Sequence, residues 1–180
     1  MKNLHLLKNI LFCFFLIFVL LSCNQQDSKP QKAVLNQDTV DQRMMNVNKI
    51  LSTDENKQIE DFINRYNWKM NATGSGLRYL IYKQGNGKQV GKNSKIKINY
   101  RTSLLNGVTI YNSSIDGVKS FVIGKAEVET GLEEGILLLK VGDKAKFIIP
   151  SHLAFGLLGD QKKIPKKATL VYDVELLSVD

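Results

Sequence analysis

Gly131-Leu132-Glu133-Glu134-Gly135, then Val141-Gly142-Asp143 leading to Pro150, then Ala154-Phe155-Gly156, then Ala168-Thr169-Leu170-Val171-Tyr172-Asp173-Val174-Glu175-Leu176: four blocks in this order decide the fold. In the last of them Leu170, Tyr172, Val174 and Leu176 fall on one face, with Thr169, Asp173 and Glu175 on the other. A period of two marks a half-buried antiparallel strand. Residues 143–150 repeat the pattern: Ala145, Phe147 and Ile149 point one way, Lys144 and Lys146 the other. A short apolar turn of helix precedes them. Strands embracing one small helix would form a pocket, and these blocks offer it no obvious acid, base or nucleophile.

The period of two continues upstream. Residues 95–102 are the clearest strand, with Ile96, Ile98, Tyr100 and Thr102 inward and Lys95, Lys97, Asn99 and Arg101 toward water. Asn106-Gly107 is a hairpin turn, because both residues tolerate positive φ. Residues 77–82 and 120–123 read as further strands, closed by Gly85-Asn86-Gly87 and Gly124. With a helix near residues 128–139, the pattern predicts an α+β domain: an antiparallel twisted sheet wrapped around one short helix. No internal repeats occur.

A helical segment, residues 38–70, should precede it. Val40, Met44 and Val47 recur at helical spacing, extended by Ile50 and Leu51. Ser52 and Glu55 stand three apart, as in a capping box that starts a second helix. Ile59, Phe62, Ile63 and Tyr66 then make an apolar stripe, ended by Trp68 and Met70. That stripe either packs on the domain's own sheet or, over residues 40–66, meets a second copy or another partner.

Residues 10–21 are an unbroken apolar run behind Lys2 and Lys8. The run is too short for a permanent span of about 30 Å, so residues 1–22 read as a cleaved signal peptide. Leu20-Leu21-Ser22-Cys23 resembles the end of a bacterial lipoprotein signal, in which the cysteine is acylated; a plain secretory cleavage near Ser22 is the alternative. Cys13 leaves with the signal, so Cys23 is the only thiol of the expected mature chain. Acylation would remove that liability and tether the protein to a membrane surface, a periplasm-facing one in the cell envelope. Residues 23–37 are polar, contain Pro30 and read as a flexible tether. Two of the 25 basic residues lie in the signal, so the net charge falls from +8 to +6. No basic surface is interleaved with aromatic residues, which argues against a nucleic-acid partner.

The ordered set Gly85-Asn86-Gly87, Tyr100, Gly107, Ser113-Ser114, Phe121-Val122-Ile123-Gly124, Gly131 to Gly135, Val141-Gly142, Pro150, Ala154-Phe155-Gly156, Ile164-Pro165 and residues 168–176 resembles the FKBP family of peptidyl-prolyl cis/trans isomerases, over residues 75–180. The lipoprotein start, the preceding helix and residues 151–160 look most like the FKBP-type lipoproteins associated with gliding motility in Bacteroidetes. The resemblance implies an isomerase of proline-containing exported polypeptides, with no cofactor and no metal. It puts the proline against Tyr100, Tyr111, Phe121, Val128, Leu132 and Tyr172, and it carries Asn112 and Phe155 into the catalytic set. Glu127, Val128 and Glu129 would offer backbone groups to the peptide, and Phe155 and Ile164 would sit under a flap over the substrate.

Several positions depart from the family's most active pattern. Leu132 replaces a floor tryptophan, which lowers the aromatic area against the proline. Asn112 stands for an aspartate, Phe155 for a flap tyrosine, Lys119 for a wall aromatic and Glu129 for an aliphatic residue. The resemblance therefore implies a weak or selective isomerase, with a binding or chaperone module as the alternative.

Overall fold

The computed structural model describes residues 37–180, with side chains from residue 40 onward. The expected signal peptide, Cys23 and nearly all of the tether lie outside the described residues. Among the described residues no helix is long and apolar enough to cross a membrane.

Helix α1, Gln37–Tyr66, is continuous. The expected break at Ser52 does not occur. No Gly or Pro interrupts residues 37–66, and the Thr53 hydroxyl donates to the Lys49 carbonyl at 2.8 Å, one turn back. Ser52 is thus an exposed mid-helix residue, and Glu55 does other work. The helix ends where Asn67 enters the left-handed region at φ 50°. Asn67 N–H donates to Asn64 O and Trp68 N–H to Ile63 O, both at 3.1 Å. This pair of reverse bonds is a Schellman cap. It folds Trp68 back onto the helix, 5.5 Å from the Phe62 ring and 5.1 Å from Tyr66.

Seven antiparallel strands follow: β1 (Asn71–Ala72), β2 (Arg78–Lys83), β3 (Lys95–Leu104), β4 (Thr109–Asn112), β5 (Lys119–Val122), β6 (Lys144–Ile149) and β7 (Leu170–Val179). They pair in the order β1-β2-β6-β7-β3-β4, and β5 pairs with the first half of β3. The one-turn helix α2 (Ser113–Asp116) joins β4 to β5, and α3 (Thr130–Leu137) joins β5 to β6. Gly131 and Gly135, one turn apart, let α3 lie against the sheet. A Cβ at residue 131 would come within 2.4 Å of Ile149 Cγ2, and one at residue 135 within 2.9 Å of the Phe147 ring.

The sheet is covered on both faces. Ala145, Phe147, Ile149, Leu170, Tyr172 and Val174 face α3 in the main core. Ile148 and Val171 break the alternation read from sequence: they face the other way, yet are buried. Ile59, Phe62 and Ile63 of α1 cover them, so this stripe packs on the domain's own sheet. Each such side chain contributes about 1.5–3 kcal/mol on burial. An ion pair between Arg78 and Glu60 at 3.0 Å adds to the docking.

Because Ile59 is fully buried between helix and sheet, Ile59→Ala should lower the unfolding free energy by about 2–5 kcal/mol in a denaturant titration. A loss under about 0.5 kcal/mol would contradict the account of α1 as part of the core.

Candidate active site

A cleft of about 480 Å³ opens where β4, β5 and β7 meet the loop between β6 and β7. Tyr111, Lys119, Glu129, Phe155, Gly159, Asp160, Gln161, Lys162 and Tyr172 line it. Strand register explains the wall. Tyr172 and Thr102 are partners across β7 and β3, and Thr102 pairs with Tyr111 across β3 and β4. Tyr100 lies behind, 8% exposed, its ring centroid 6.5 Å from that of Tyr172. Phe121, Leu132 and Ile164 are buried beneath the wall, and Val128 packs against the same core.

Tyr111, Phe155, Tyr172 and Glu129, all anticipated from sequence, thus meet in one cleft. Asn112 does not line it. Its side-chain oxygen caps α2, accepting from Ser114 N–H at 3.1 Å. The Glu127 carboxylate is turned away, accepting from Val122 N–H at 3.1 Å.

Sequence reasoning missed Asp160. Its carboxylate accepts the Tyr111 hydroxyl at 2.5 Å and the backbone N–H groups of Ile164 at 2.7 Å and Lys162 at 2.9 Å. One side chain therefore shapes the tip of the loop and latches it to β4. Burial alone would raise the Asp160 pKa, but these hydrogen bonds outweigh it and hold the group below its ordinary value. The bond to Asp160, helped by burial, pushes Tyr111 up to about 12. The only sequence signal was an Asp after Gly159, which could as well have been an ordinary solvated turn. Gly159 itself is obligatory at φ 67°, since a Cβ there would come within 2.3 Å of the Ile164 carbonyl oxygen.

A second polar pair lies deeper. Tyr172 donates to Glu129 Oε1 at 2.8 Å. Burial, then the neighbouring Glu129 charge, raises the Tyr172 pKa well above that of free tyrosine. Among the described residues, Glu129 Oε2 and Thr102 Oγ1 are buried without a hydrogen-bond partner of regular geometry, although Thr102 is close enough to favour the ionised Tyr172. Burial likewise raises Tyr100, helped by Asp116 and Glu129. At the mouth, Lys119 Nζ stands 5.0 Å from the Tyr100 ring centroid and Lys163 Nζ 5.1 Å from that of Tyr111. The lining pairs no nucleophile with a base. Its phenols are protonated at neutral pH and already hydrogen-bonded to carboxylates, so the arrangement suits shape and desolvation rather than proton transfer.

A smaller cleft, about 220 Å³, lies on the other face beside Phe62, Tyr66 and Trp68. Its charges, Arg101, Lys146 and Asp173, pair among themselves.

An antiparallel sheet curled around α3, with an aromatic cleft roofed by a long loop, defines an FKBP-like domain. Residues 86–177 match the FKBP-type peptidyl-prolyl cis-trans isomerase family, and the chain belongs to it. It is 41% identical over 108 residues to the probable FKBP-type peptidyl-prolyl cis-trans isomerase FkpA of Neisseria meningitidis serogroup B, covering 60% of this chain and 39% of that protein. It is 38% identical over 109 residues to FkpA of Aeromonas hydrophila, covering 61% and 40%. The chain thus spans about two-fifths of the length of these curated relatives. The crystal structure of FkpA from Escherichia coli superposes with a TM-score of 0.62 at 28% identity, over 82% of this chain and 74% of that one. That of AtFKBP13 gives 0.58 at 29%, over 62% and 99%.

The Tyr111–Asp160 latch makes a prediction about pH. A phenol raised above its ordinary 10.0 contributes stability that is complete below pH 10 and lost as pH rises through about 12. A carboxylate held below its ordinary 3.8 contributes above that value and loses its contribution in stronger acid. The latch is therefore intact between these limits. An NMR titration should find Tyr111 ionising near pH 12; a midpoint near 10 would mean that the latch does not form.

Proposed function

We propose that the cleft receives proline in an extended polypeptide and speeds rotation about the preceding peptide bond. The uncatalysed barrier is about 18–20 kcal/mol because resonance holds the amide planar. Twisting removes that resonance and leaves a less polar, ketone-like carbonyl. A dry aromatic wall that fits the twisted form better than the planar one lowers the barrier without a nucleophile or base. The observation that carries this reading is the wall of Tyr111, Phe155 and Tyr172, whose polar atoms are tied to Asp160 and Glu129. Leu132 in place of a floor aromatic, and the charges of Lys119 and Glu129 at the lining, favour a modest rate or a narrow range of substrates.

The cellular setting belongs to the same proposal. The apolar run ending at Cys23 supports a lipid-anchored protein of the cell envelope, facing the periplasm and assisting the folding of exported proteins. The similarity of residues 151–160 to motility-associated lipoproteins supports a role in gliding motility. Mass spectrometry of the membrane-extracted protein should find acyl chains on Cys23; an unmodified cysteine would contradict the anchor.

A second reading, an envelope binding or chaperone module with little catalysis, draws on α1. Met44, Met45, Val47 and Ile50 are each more than half exposed, an apolar stripe suited to a second copy or a partner. Ile59, Phe62 and Ile63 are committed to the sheet, so any such contact uses the upstream part of residues 40–66.

Refolding of a substrate limited by proline isomerisation separates the two. The wild-type chain should accelerate the slow phase, and Phe155→Ala should reduce the gain about tenfold, equivalent to roughly 1.4 kcal/mol of transition-state binding. No acceleration at micromolar protein, with aggregation suppression that survives Phe155→Ala, would favour the chaperone reading instead.

A further inference from the structure

Between residues 51 and 58 only Glu55 is withdrawn from solvent. It is in register with the buried stripe, one turn before Ile59. Its carboxylate is fully engaged by a distant part of the chain. Oε1 accepts the Ser151 backbone N–H at 2.7 Å and the Thr169 hydroxyl at 2.6 Å, and Oε2 accepts the Ser151 hydroxyl at 3.0 Å. Ser151 and Thr169 stand at the two ends of the loop between β6 and β7. That loop supplies Phe155, Gly159, Asp160, Gln161 and Lys162 to the cleft. A single carboxylate on α1 thus pins both ends of the flap.

Strand pairing ends at the base of the flap, at Ile149 and Leu170, and beyond it His152 Nε2 bonds Ser75 O at 3.0 Å. Apart from the 3₁₀ turn at Ser151–Leu153 the flap holds no helix or strand. Its longer-range backbone bonds are Gly156 N–H to Ser151 O, Lys167 N–H to Gly156 O and Asp160 N–H to Ile164 O. The first of these three ends on Ser151, a residue that Glu55 itself holds. Hydrogen bonds to an ionised carboxylate are roughly twice as strong as neutral ones. Without Glu55, Ser151 and Thr169 lose these bonds beyond the last strand pair, and a looser flap has to be ordered again each time a peptide binds, which lowers affinity.

We propose that Glu55 is a positioning residue for the cleft. From outside the site it fixes the two ends of the flap, so that Phe155 and Asp160 are set against Tyr111 and Tyr172 before a substrate arrives. This rests on the isomerase reading for its substrate but not for its geometry. Helix α1 is then a working part of the site and not merely a stalk.

The test compares wild type, Glu55→Ala and Glu55→Gln in the full chain by two measurements. One is kcat and KM on a proline-containing peptide; the other is amide hydrogen exchange across residues 151–169. Glu55→Ala should raise KM about three- to tenfold with kcat little changed, as expected for the loss of ordering bonds outside the reacting centre. Flap amides should exchange faster while those of β3 and β7 do not. Glu55→Gln keeps the acceptor for Ser151 N–H and Thr169, and its amide can donate to the Ser151 hydroxyl, so it should recover most of the affinity. A folded Glu55→Ala variant with wild-type KM and wild-type flap exchange would overturn the proposal. So would faster exchange spread evenly over the domain, or a Glu55→Gln variant as impaired as Glu55→Ala. If Glu55→Ala does not fold, Ser151→Ala combined with Thr169→Val removes two of the three bonds and must give the same pattern with smaller amplitude. If the wild-type chain is inactive, the isomerase reading fails, and flap exchange still decides whether Glu55 holds the flap.

Discussion

Strand β7 is covered on both faces, and the rest of the structure depends on that constraint. It lies between β3 and β6, and Leu170, Val171 and Tyr172 are consecutive buried residues in its first turns of pleat. Alternate side chains of a strand point to opposite faces, so three buried neighbours require a cover on each side. Helix α3 supplies one cover, seated by Gly131 and Gly135, and α1 supplies the other through Ile59, Phe62 and Ile63. Tyr172 thereby becomes a fixed wall of the cleft, while Val171 on the same strand anchors the helix behind it.

The same arrangement reconciles an apolar contact surface with polar contents. Three tyrosines stand at or just behind the cleft wall, and two of them end on carboxylates, Tyr111 on Asp160 and Tyr172 on Glu129. Buried polar groups are tolerated when they satisfy each other, and here the pairing leaves ring faces as the contact surface. Asp160 joins wall to flap, and Glu55 joins flap to helix. The cleft is held from inside and from outside by carboxylates that need not touch a substrate.

Much of the fold was legible in the sequence. The alternation of residues 95–102, the hairpin turn after β3, with Gly107 though not Asn106 at positive φ, and the two glycines of α3 all carry local signals that the structure keeps. Ile148 and Val171 were also legible in principle: an apolar residue on the polar face of a strand is the mark of a second cover. What could not be read was the partner of each long-range polar group. Ser52 and Glu55 have the spacing of a cap, and nothing local tells that Glu55 reaches residues about a hundred positions away. Asn112 looked like a wall residue through resemblance but serves a one-turn helix, because its side chain can bond a backbone N–H two residues on. Asp160 lay in a loop whose path only the folded chain defines.

The central claim is that this tyrosine-walled cleft turns X–Pro bonds without acid, base or cofactor. Two-dimensional exchange NMR on a short proline peptide at equilibrium tests it most directly, because cis and trans forms give separate signals and interconvert in tens to hundreds of seconds unaided. The account predicts exchange cross-peaks between the two forms on addition of substoichiometric protein, at a rate unchanged from pH 6 to pH 8. No cross-peaks, or a rate that follows the titration of a single group across that range, would contradict it.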